Sequence, residues 1–323
     1  MGYFLIRRIF WAIFLFFVAT IVTYLIFFVI PSDPAKLIAG RNANAQDVAR
    51  VARFYHLNIP VWQQYWIFLW NLIHKGSLGT SYITRQSVRW MIGQDAPVTA
   101  SLVFGGAVFW LSLSIPIGIL SALRPRSLMD RASMTFVLIG ISAHPVWIGL
   151  ILSFAIGYKL HLTPIAGYCN FFTGNAGASC SGPIQWAYHM ILPWIVFMIL
   201  FAALYVRLIR ANVMETMSED YVRTARAKGA SERRVMIQHV LRNSMLPIVT
   251  ILGMDIGLAL GGAIFTEQIF NLPGLGRQII QSYSVFDLPV IAGVICFATM
   301  AVIVFNFIVD VAYAFLDPRI RLT

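Results

Sequence analysis

Apolar positions in this chain come in long unbroken runs. Six such runs stand out, at 9–30, 98–123, 132–157, 190–206, 245–265 and 288–315. Crossing a hydrocarbon layer about 30 Å thick takes roughly 20 apolar residues in a helix, and five of the six meet that length. The run at 190–206 is the shortest. In hydrocarbon every backbone polar group must be satisfied within its own segment, so the runs read as helices. The pattern predicts an all-α integral membrane protein with six transmembrane helices. The first run is longer than a signal h-region and no small-residue cleavage site follows it, so it reads as a retained span. His144-Pro145 interrupts the third run and predicts a kink there.

The polar intervals are uneven. Residues 1–97 read as the first span plus an extracytoplasmic region, 98–315 as a five-helix core, and 316–323 as a cytoplasmic tail. Within the first interval Trp62, Tyr65, Trp66 and Trp70 recur at helical spacing. That predicts an amphipathic helix at the membrane interface, where aromatic rings sit well. A docking surface for a partner outside is compatible with it. The interval 207–245 is the longest on the other side.

Composition agrees. The 323 residues are 59% hydrophobic and 11% charged, with a mean hydropathy of +0.76. That leaves no room for a sizeable soluble domain. The net charge of +11 is mainly a topology signal. With the N-terminus inside, Arg7 and Arg8, Arg124, Arg126 and Arg131, the basic residues of 207–245, and Arg319 and Arg321 all fall on the cytoplasmic side. Both termini are then cytoplasmic. No soluble basic domain exists to hold a nucleic acid. Cys169 and Cys180 flank a Gly- and Ser-rich stretch in a loop on the opposite, oxidising side. They read as a disulfide, with a pair of free thiols as the alternative. The spacing brings no His or further Cys beside them, so no metal site is expected. Cys296, in the last run, reads as core.

One stretch departs from the apolar pattern: DYVRTARAKGASERRVMIQHVLRNSMLP, residues 220–247. Val222, Ala225 and Gly229 recur at helical spacing and predict a small apolar face. Gly229 suits the end of a short helix, being free to take positive φ. Ser231 suits the N-cap of a second helix near 232–242, with Glu232 at its positive end. A loop that only gripped anionic lipid would not need small residues at that spacing, whereas a docked protein would.

In the fifth run Gly253, Gly257 and Gly261 form a small-residue face for close helix packing. Asp255 lies between them on another face. An intramembrane carboxylate is costly, so it either lines a substrate path or pairs with a polar group on a neighbouring helix; both readings stay open. Glu267 at the outer end of that run is a candidate gate residue. His144 is a candidate for the path, set against an ordinary packed histidine. Asp310 is expected to pair with an Arg. Catalytic constellations are absent: no HExxH, no GxSxG and no close carboxylate pair. None of the four lysines, Lys36, Lys75, Lys159 and Lys228, is followed by Ser or Thr, so the chain has no phosphate-cradling GxxxxGK[ST].

The 220–247 stretch resembles the cytoplasmic loop of ABC-importer permeases of the dipeptide, oligopeptide and nickel branch. The opening through PSDPA, the GGAIFTEQIFNLPGLGRQI stretch and the closing DPRIR are similar to the same family, from end to end of the chain. Against the general pattern of that loop, Arg223 and Thr224 replace the usual Glu and first Ala, and Leu-Pro is displaced to Leu246-Pro247. The resemblance implies a type I importer fold in the bacterial inner membrane and a permease subunit that provides half of a translocation path for di- or oligopeptides. It implies that Asp220, Tyr221, Arg223, Thr224, Ala225, Ala227, Lys228 and Gly229 form a coupling helix docked to an ATPase. The implied partners are a second homologous permease, two ATP-binding subunits that hold ATP and Mg, an extracytoplasmic substrate-binding protein, and membrane lipid. The chain itself would carry no cofactor and no enzymatic activity. A nickel-chelate permease of the same fold and, from another class, an ion-coupled secondary transporter using Asp255 and Asp310 are the alternatives.

Overall fold

The apolar runs become helices, though not six uninterrupted ones. The computed structural model describes residues 2–26, 34–39, 43–54, 58–172, 180–261 and 263–316. In chain order the helices are α1 (Gly2–Tyr24), α2 (Pro34–Ala39), α3 (Ala45–Phe54), α4 (Val61–Lys75), α5 (Val88–Leu123), α6 (Leu128–Ser142), α7 (Pro145–Leu152) and α8 (Pro183–Ser218). They continue with α9 (Asp220–Ala227), α10 (Glu232–Arg234), α11 (Arg242–Ser244), α12 (Leu246–Leu260), α13 (Ile264–Ile269), α14 (Leu275–Ser284) and α15 (Leu288–Leu316). Wider π-helical turns fill Ser153–Lys159 and Val235–Leu241. Among the described residues there is no β-strand, only isolated bridges at Thr80–Ser87 and Asn170–Ser181.

Four helical stretches are long and apolar enough to cross a membrane: Ile6–Tyr24, Val88–Leu123, Pro183–Ser218 and Leu288–Val309. Two bent pairs bring the number to six if each pair is one span. The third run is not a single kinked helix. Its halves, Leu128–Ser142 and Pro145–Lys159, meet at 104°. Pro145 has no N–H to give and forces the residue before it out of the α region, and His144 is extended at φ −77°, ψ 139°. The break becomes a helix start: the His144 ring accepts from the Val146 N–H at 3.3 Å. The fifth run stops short at Leu260 and resumes as α13, leaving α12 only about 22 Å long. It forms the other bent pair, at 41° to Glu232–Ser244. The short fourth run proves to be the middle of a 36-residue helix.

The chain forms two compact units. One comprises Met1–Thr99, Gly257–Ile264 and Pro273–Phe307. Here α4 is pinned to α1: the Tyr24 hydroxyl donates to Gln64 Oε1 at 3.0 Å, and Thr20 and Tyr65 share a hydrogen bond of the same length. Trp62, Trp66 and Trp70 cover the other face of α4 and stay exposed. Val88, Ile92, Leu275, Val290 and Val294 form a buried core. Gly257 and Gly261 let α12 lie against α15; a Cβ on Gly257 would come within 2.9 Å of the Val302 backbone, the close approach that small residues permit. Gly253, which belongs to the other unit, is buried. Asp287 is buried and closes the loop before α5, accepting from the Ser81 hydroxyl and from the Tyr82 N–H at 2.9 Å.

The other unit comprises Ala100–Ile256, Phe265–Leu272 and Ile308–Thr323. Its axis is α8. Trp110 of α5 is fully buried and stacks on Phe201 of α8 at 4.6 Å. Gly118 admits Ile209, and Gly140 of α6 admits Ala203, each at a distance no larger side chain would allow. Cys169 and Cys180 are joined as a disulfide, with Cα atoms 5.3 Å apart. Cys296, in the first unit, is free and buried.

Replacing Asp287 with Ala leaves the Ser81 hydroxyl and the Tyr82 N–H buried without their acceptor. Each such group costs about 1–3 kcal/mol. The unfolding midpoint of the detergent-solubilised chain should fall accordingly, and an unchanged midpoint would show that the loop before α5 is held by something else.

Candidate functional site

The polar stretch 220–247 folds into an elbow at the end of α8. That helix runs unbroken from Pro183 to Ser218, then turns at Glu219, whose extended backbone (φ −66°, ψ 146°) caps α8 and begins α9. Asp220 lies in the first turn of α9, where negative charge suits the helix dipole. The other end closes through Gly229. Its φ of +80° allows the Gly229 N–H to reach Arg226 O at 2.9 Å and the Ala230 N–H to reach Ala225 O at 3.2 Å, the paired bonds of a Schellman ending.

Three contacts fix the angle of the elbow. Val222 is fully buried against the rest of the chain. The Asn243 amide donates to the Tyr221 hydroxyl at 2.9 Å, tying α9 to α11. Arg226 spans the turn to grip Glu232 with two bonds, 2.9 and 3.3 Å. Asp220 and Arg223 make only a loose exposed pair at 3.6 Å, a kind worth little. Ser231 takes the extended N-cap conformation, but its side chain makes no capping bond. The segment after it is not the plain α-helix expected: residues 235–241 are π-helical. Bonds from i to i+5 bring residues five apart nearly above one another, and Val235 and Val240 are both fully buried.

The small-residue face expected for docking is rearranged. Val222 points into its own fold, and Ala225 is half-buried. Gly229 is exposed, and an added Cβ there would meet nothing within 4 Å, so glycine serves the backbone angle and not a close contact within the chain. The face left open holds Asp220, Tyr221, Arg223, Thr224, Ala227 and Lys228.

A partly buried ion pair stands behind this elbow. Arg210, two turns before the end of α8, donates to both oxygens of Asp130 at 2.6 and 3.0 Å. Asp130 also accepts from the Ser121 hydroxyl of α5 and from the Arg126 N–H at 2.8 Å. Five residues earlier on α8, the Tyr205 hydroxyl donates to Asp255 of α12 at 2.7 Å. Asp255, half-buried, thus has a polar partner on a neighbouring helix. Glu267 is fully buried in α13. His144 is exposed at the α6–α7 bend, edge-on to Phe265 at 5.0 Å. The side chain of Asp310, Gly262 and the closing 317–323 lie outside the described residues. A cavity of about 280 Å³ lies among Tyr24, Gln64, Phe68, Asn71, Tyr82 and Pro289, below the roughly 300–1,000 Å³ usual for small-molecule pockets.

Sequence reasoning found the elbow but missed Arg210, Tyr205 and Ser121. Arg210 looked like one more topology charge. The only available signal for Asp130 was an acidic residue inside an otherwise basic RPRSLMDR loop.

Comparison with known proteins supplies the context. Residues 114–322 match the family described as "Binding-protein-dependent transport system inner membrane component", and residues 1–103 match its N-terminal counterpart. The chain is 36% identical over 335 residues to the dipeptide transport system permease protein of Escherichia coli (strain K12), covering 98% of each chain. It is 33% identical over 317 residues to a putative peptide transport system permease protein of Brucella abortus (strain 2308), with 98% of each covered. It is 35% identical over 318 residues to the glutathione transport system permease protein of Escherichia coli O6:H1, again with 98% covered on both sides. An inward-facing structure of the MetNI methionine ABC transporter has a similar fold, with a TM-score of 0.54 at 15% identity over 71% of this chain and 97% of that one.

If Gly229 is set by its backbone angle, Gly229→Ala should destabilise the chain by about 1–2 kcal/mol, the cost of a left-handed conformation. Gly229→Asn should cost less despite its larger side chain, because Asn tolerates that conformation. Thermal unfolding of the two variants checks the order, and the reverse order would mean that bulk decides.

Proposed function

The chain belongs to the family of binding-protein-dependent transport system inner membrane components and is a multi-pass protein of that membrane; from that premise we propose that it is the permease subunit of an ATP-driven importer of di- or oligopeptides. It forms half of the translocation path, and a second homologous permease forms the other half. Two ATP-binding subunits dock on the cytoplasmic side and hold ATP and Mg2+, and a substrate-binding protein delivers peptide from the opposite side. Each bent helix pair counts as one span, giving six, with both termini on the side of the ATPases. That sidedness agrees with the distribution of Arg and Lys. The peptide assignment draws its support from the names of the relatives, which refer to dipeptide, peptide and glutathione transport.

The observation that carries the mechanism is the set of α9. Burial of Val222, the Tyr221 hydroxyl's bond to Asn243 and the Arg226 grip on Glu232 hold it to the rest of the chain, while Thr224 and its neighbours stay exposed. A helix held this way cannot yield locally when an ATPase subunit pushes on it. It passes the displacement into α8 on one side and through α11 into α12 on the other. The ATPases shift the permease between inward- and outward-open states only as far as they bind the two differently. Asp255 then acts as a brace with Tyr205. The exposed His144 is the better placed of the two to meet a passing peptide. Trp62, Trp66 and Trp70 rest in the lipid headgroup zone.

Thr224→Trp puts bulk on the open face of α9. The assembled transporter should lose ATPase subunits on purification and lose ATP-dependent peptide uptake in proteoliposomes, while the variant unfolds at the wild-type temperature. Normal assembly and uptake would remove α9 as the docking element.

A further inference from the structure

Between Asp47 and Asp95 the chain has no acidic residue, yet Arg50, Arg53, Lys75, Arg85 and Arg89 all lie there. With the sidedness proposed above this stretch faces outside, where Lys and Arg serve no topology signal. Three of the five are engaged within the chain. Arg50 pairs with Asp47 at 3.7 Å, Arg53 donates to the Ala49 carbonyl at 3.3 Å, and Arg85 lies over the Phe54 ring at 5.7 Å. Lys75 and Arg89 are exposed and have no acidic partner among the described residues.

The fold brings these two cations to one corner. Helix α4 ends at Gly76, whose φ of +57° returns its N–H to the Asn71 carbonyl. The loop that follows is pinned to Asp287 through Ser81 and Tyr82, and it closes where the Val88 N–H reaches Gly79 O at 3.1 Å. That closure sets the first turn of α5 against the last turn of α4. A Cβ on Gly76 would stand 3.0 Å from an Arg89 guanidinium nitrogen, so the Arg89 charge lies over the residue next to Lys75. Trp90 beside it is exposed.

An apolar stripe runs into the same corner. Gln64, Tyr65 and Phe68 face Thr20 and Tyr24, at the end of the apolar stretch of α1. Trp62, Trp66, Trp70 and Ile73 lie on the other face of α4 and are exposed. Contact with the end of the α1 span puts this stripe at the border of the hydrocarbon, where indole rings sit. The His74 ring stacks on Trp70 at 3.6 Å and closes the stripe beside Lys75. Apolar bulk next to two unmatched cations is the complement of a phospholipid, with acyl chains beside an anionic phosphate. An acidic protein surface would match the cations but not the indole stripe.

We propose that the corner formed by Lys75, Arg89 and the indoles of α4 binds the phosphodiester of an anionic phospholipid; this rests on the placement of α4 in the headgroup zone given above. The planar fork of Arg89 takes two phosphate oxygens, and Lys75 adds a point charge. The acyl chains run along Trp70, Trp66 and Trp62. The lipid bridges the end of α4 and the start of α5.

The full chain in detergent is titrated with phosphatidylglycerol and, separately, with zwitterionic phosphatidylcholine, and lipid adducts are counted by native mass spectrometry. Wild type should take up one phosphatidylglycerol before any phosphatidylcholine. Lys75→Gln and Arg89→Gln should each weaken that adduct by about fivefold, and the double variant by about twenty- to thirtyfold. Arg89→Lys keeps the charge and should retain most of the affinity. Arg50→Gln removes a cation that already has a partner and should bind as wild type does. Unchanged unfolding temperatures show that the variants fold. Equal binding of the two lipids by wild type would overturn the proposal, as would wild-type affinity in the double variant. So would an Arg50→Gln loss as large as that of Arg89→Gln, which would make the attraction one of net charge alone. A nitroxide on Ile73→Cys reads the premise separately, since the native cysteines are bridged or buried. In phosphatidylcholine vesicles, relaxation by oxygen above that by a water-soluble nickel chelate places α4 at the membrane, and a missing lipid preference then faults the lipid site alone. Relaxation by the nickel chelate alone would overturn the placement and the proposal together.

Discussion

The carboxylate of Asp130 is the constraint around which one compact unit is built. In a chain this apolar, a buried charge is tolerated only when several donors meet it. Ser121 from the end of α5, the Arg126 N–H from the following turn and both arms of the Arg210 guanidinium converge on it. Ser127 caps α6 by accepting from the Asp130 N–H. Three helices and the turn between two of them are thereby fixed at one point. Removing either charged partner would strand the other, which costs more than the pair itself contributes.

That point lies on α8 shortly before α9. The same helix packs Trp110 against Phe201, accepts close approach at Gly118 and Gly140, and reaches α12 through Tyr205 and Asp255. A displacement at the elbow therefore meets a rod that is tied to α5, α6 and α12 along its length. The chain leaves α9 on a second path, through the Arg226–Glu232 grip and the π-helical turn, and enters α12 from the other direction. The two paths close at Tyr205–Asp255. Within this unit α8, α9, α11 and α12 are thus joined in a closed circuit of contacts.

Much of this was legible along the chain, for local reasons. Runs of apolar residues declare helices, and the cysteine pair and the glycine elbow depend on neighbours within a dozen residues. Pro145 was legible as an interruption, but its size was not: a proline fixes its own φ and restricts the residue before it, while the 104° turn depends on what the two halves pack against. Val222 and Gly229 were grouped by spacing into one docking face, whereas burial turned Val222 inward and backbone geometry claimed Gly229. Arg210 and Tyr205 were out of reach because their partners lie 80 and 50 residues away. Periodicity carries no signal for such pairings, and a basic residue near a span has an adequate explanation in topology alone.

The central claim is that movement of α9 is carried rigidly into the permease through the Asp130–Arg210 tie. The most direct measurement is the number of peptides taken up per ATP hydrolysed, by the assembled transporter in proteoliposomes, for wild type and Arg210→Gln. Gln keeps an amide donor toward Asp130, and the Ser121 and Arg126 donors remain, so assembly and ATP hydrolysis should persist in the variant. Uptake per ATP should fall at least about fivefold, the lower end of typical coupling between distant sites. An intact complex with an unchanged ratio would contradict the account.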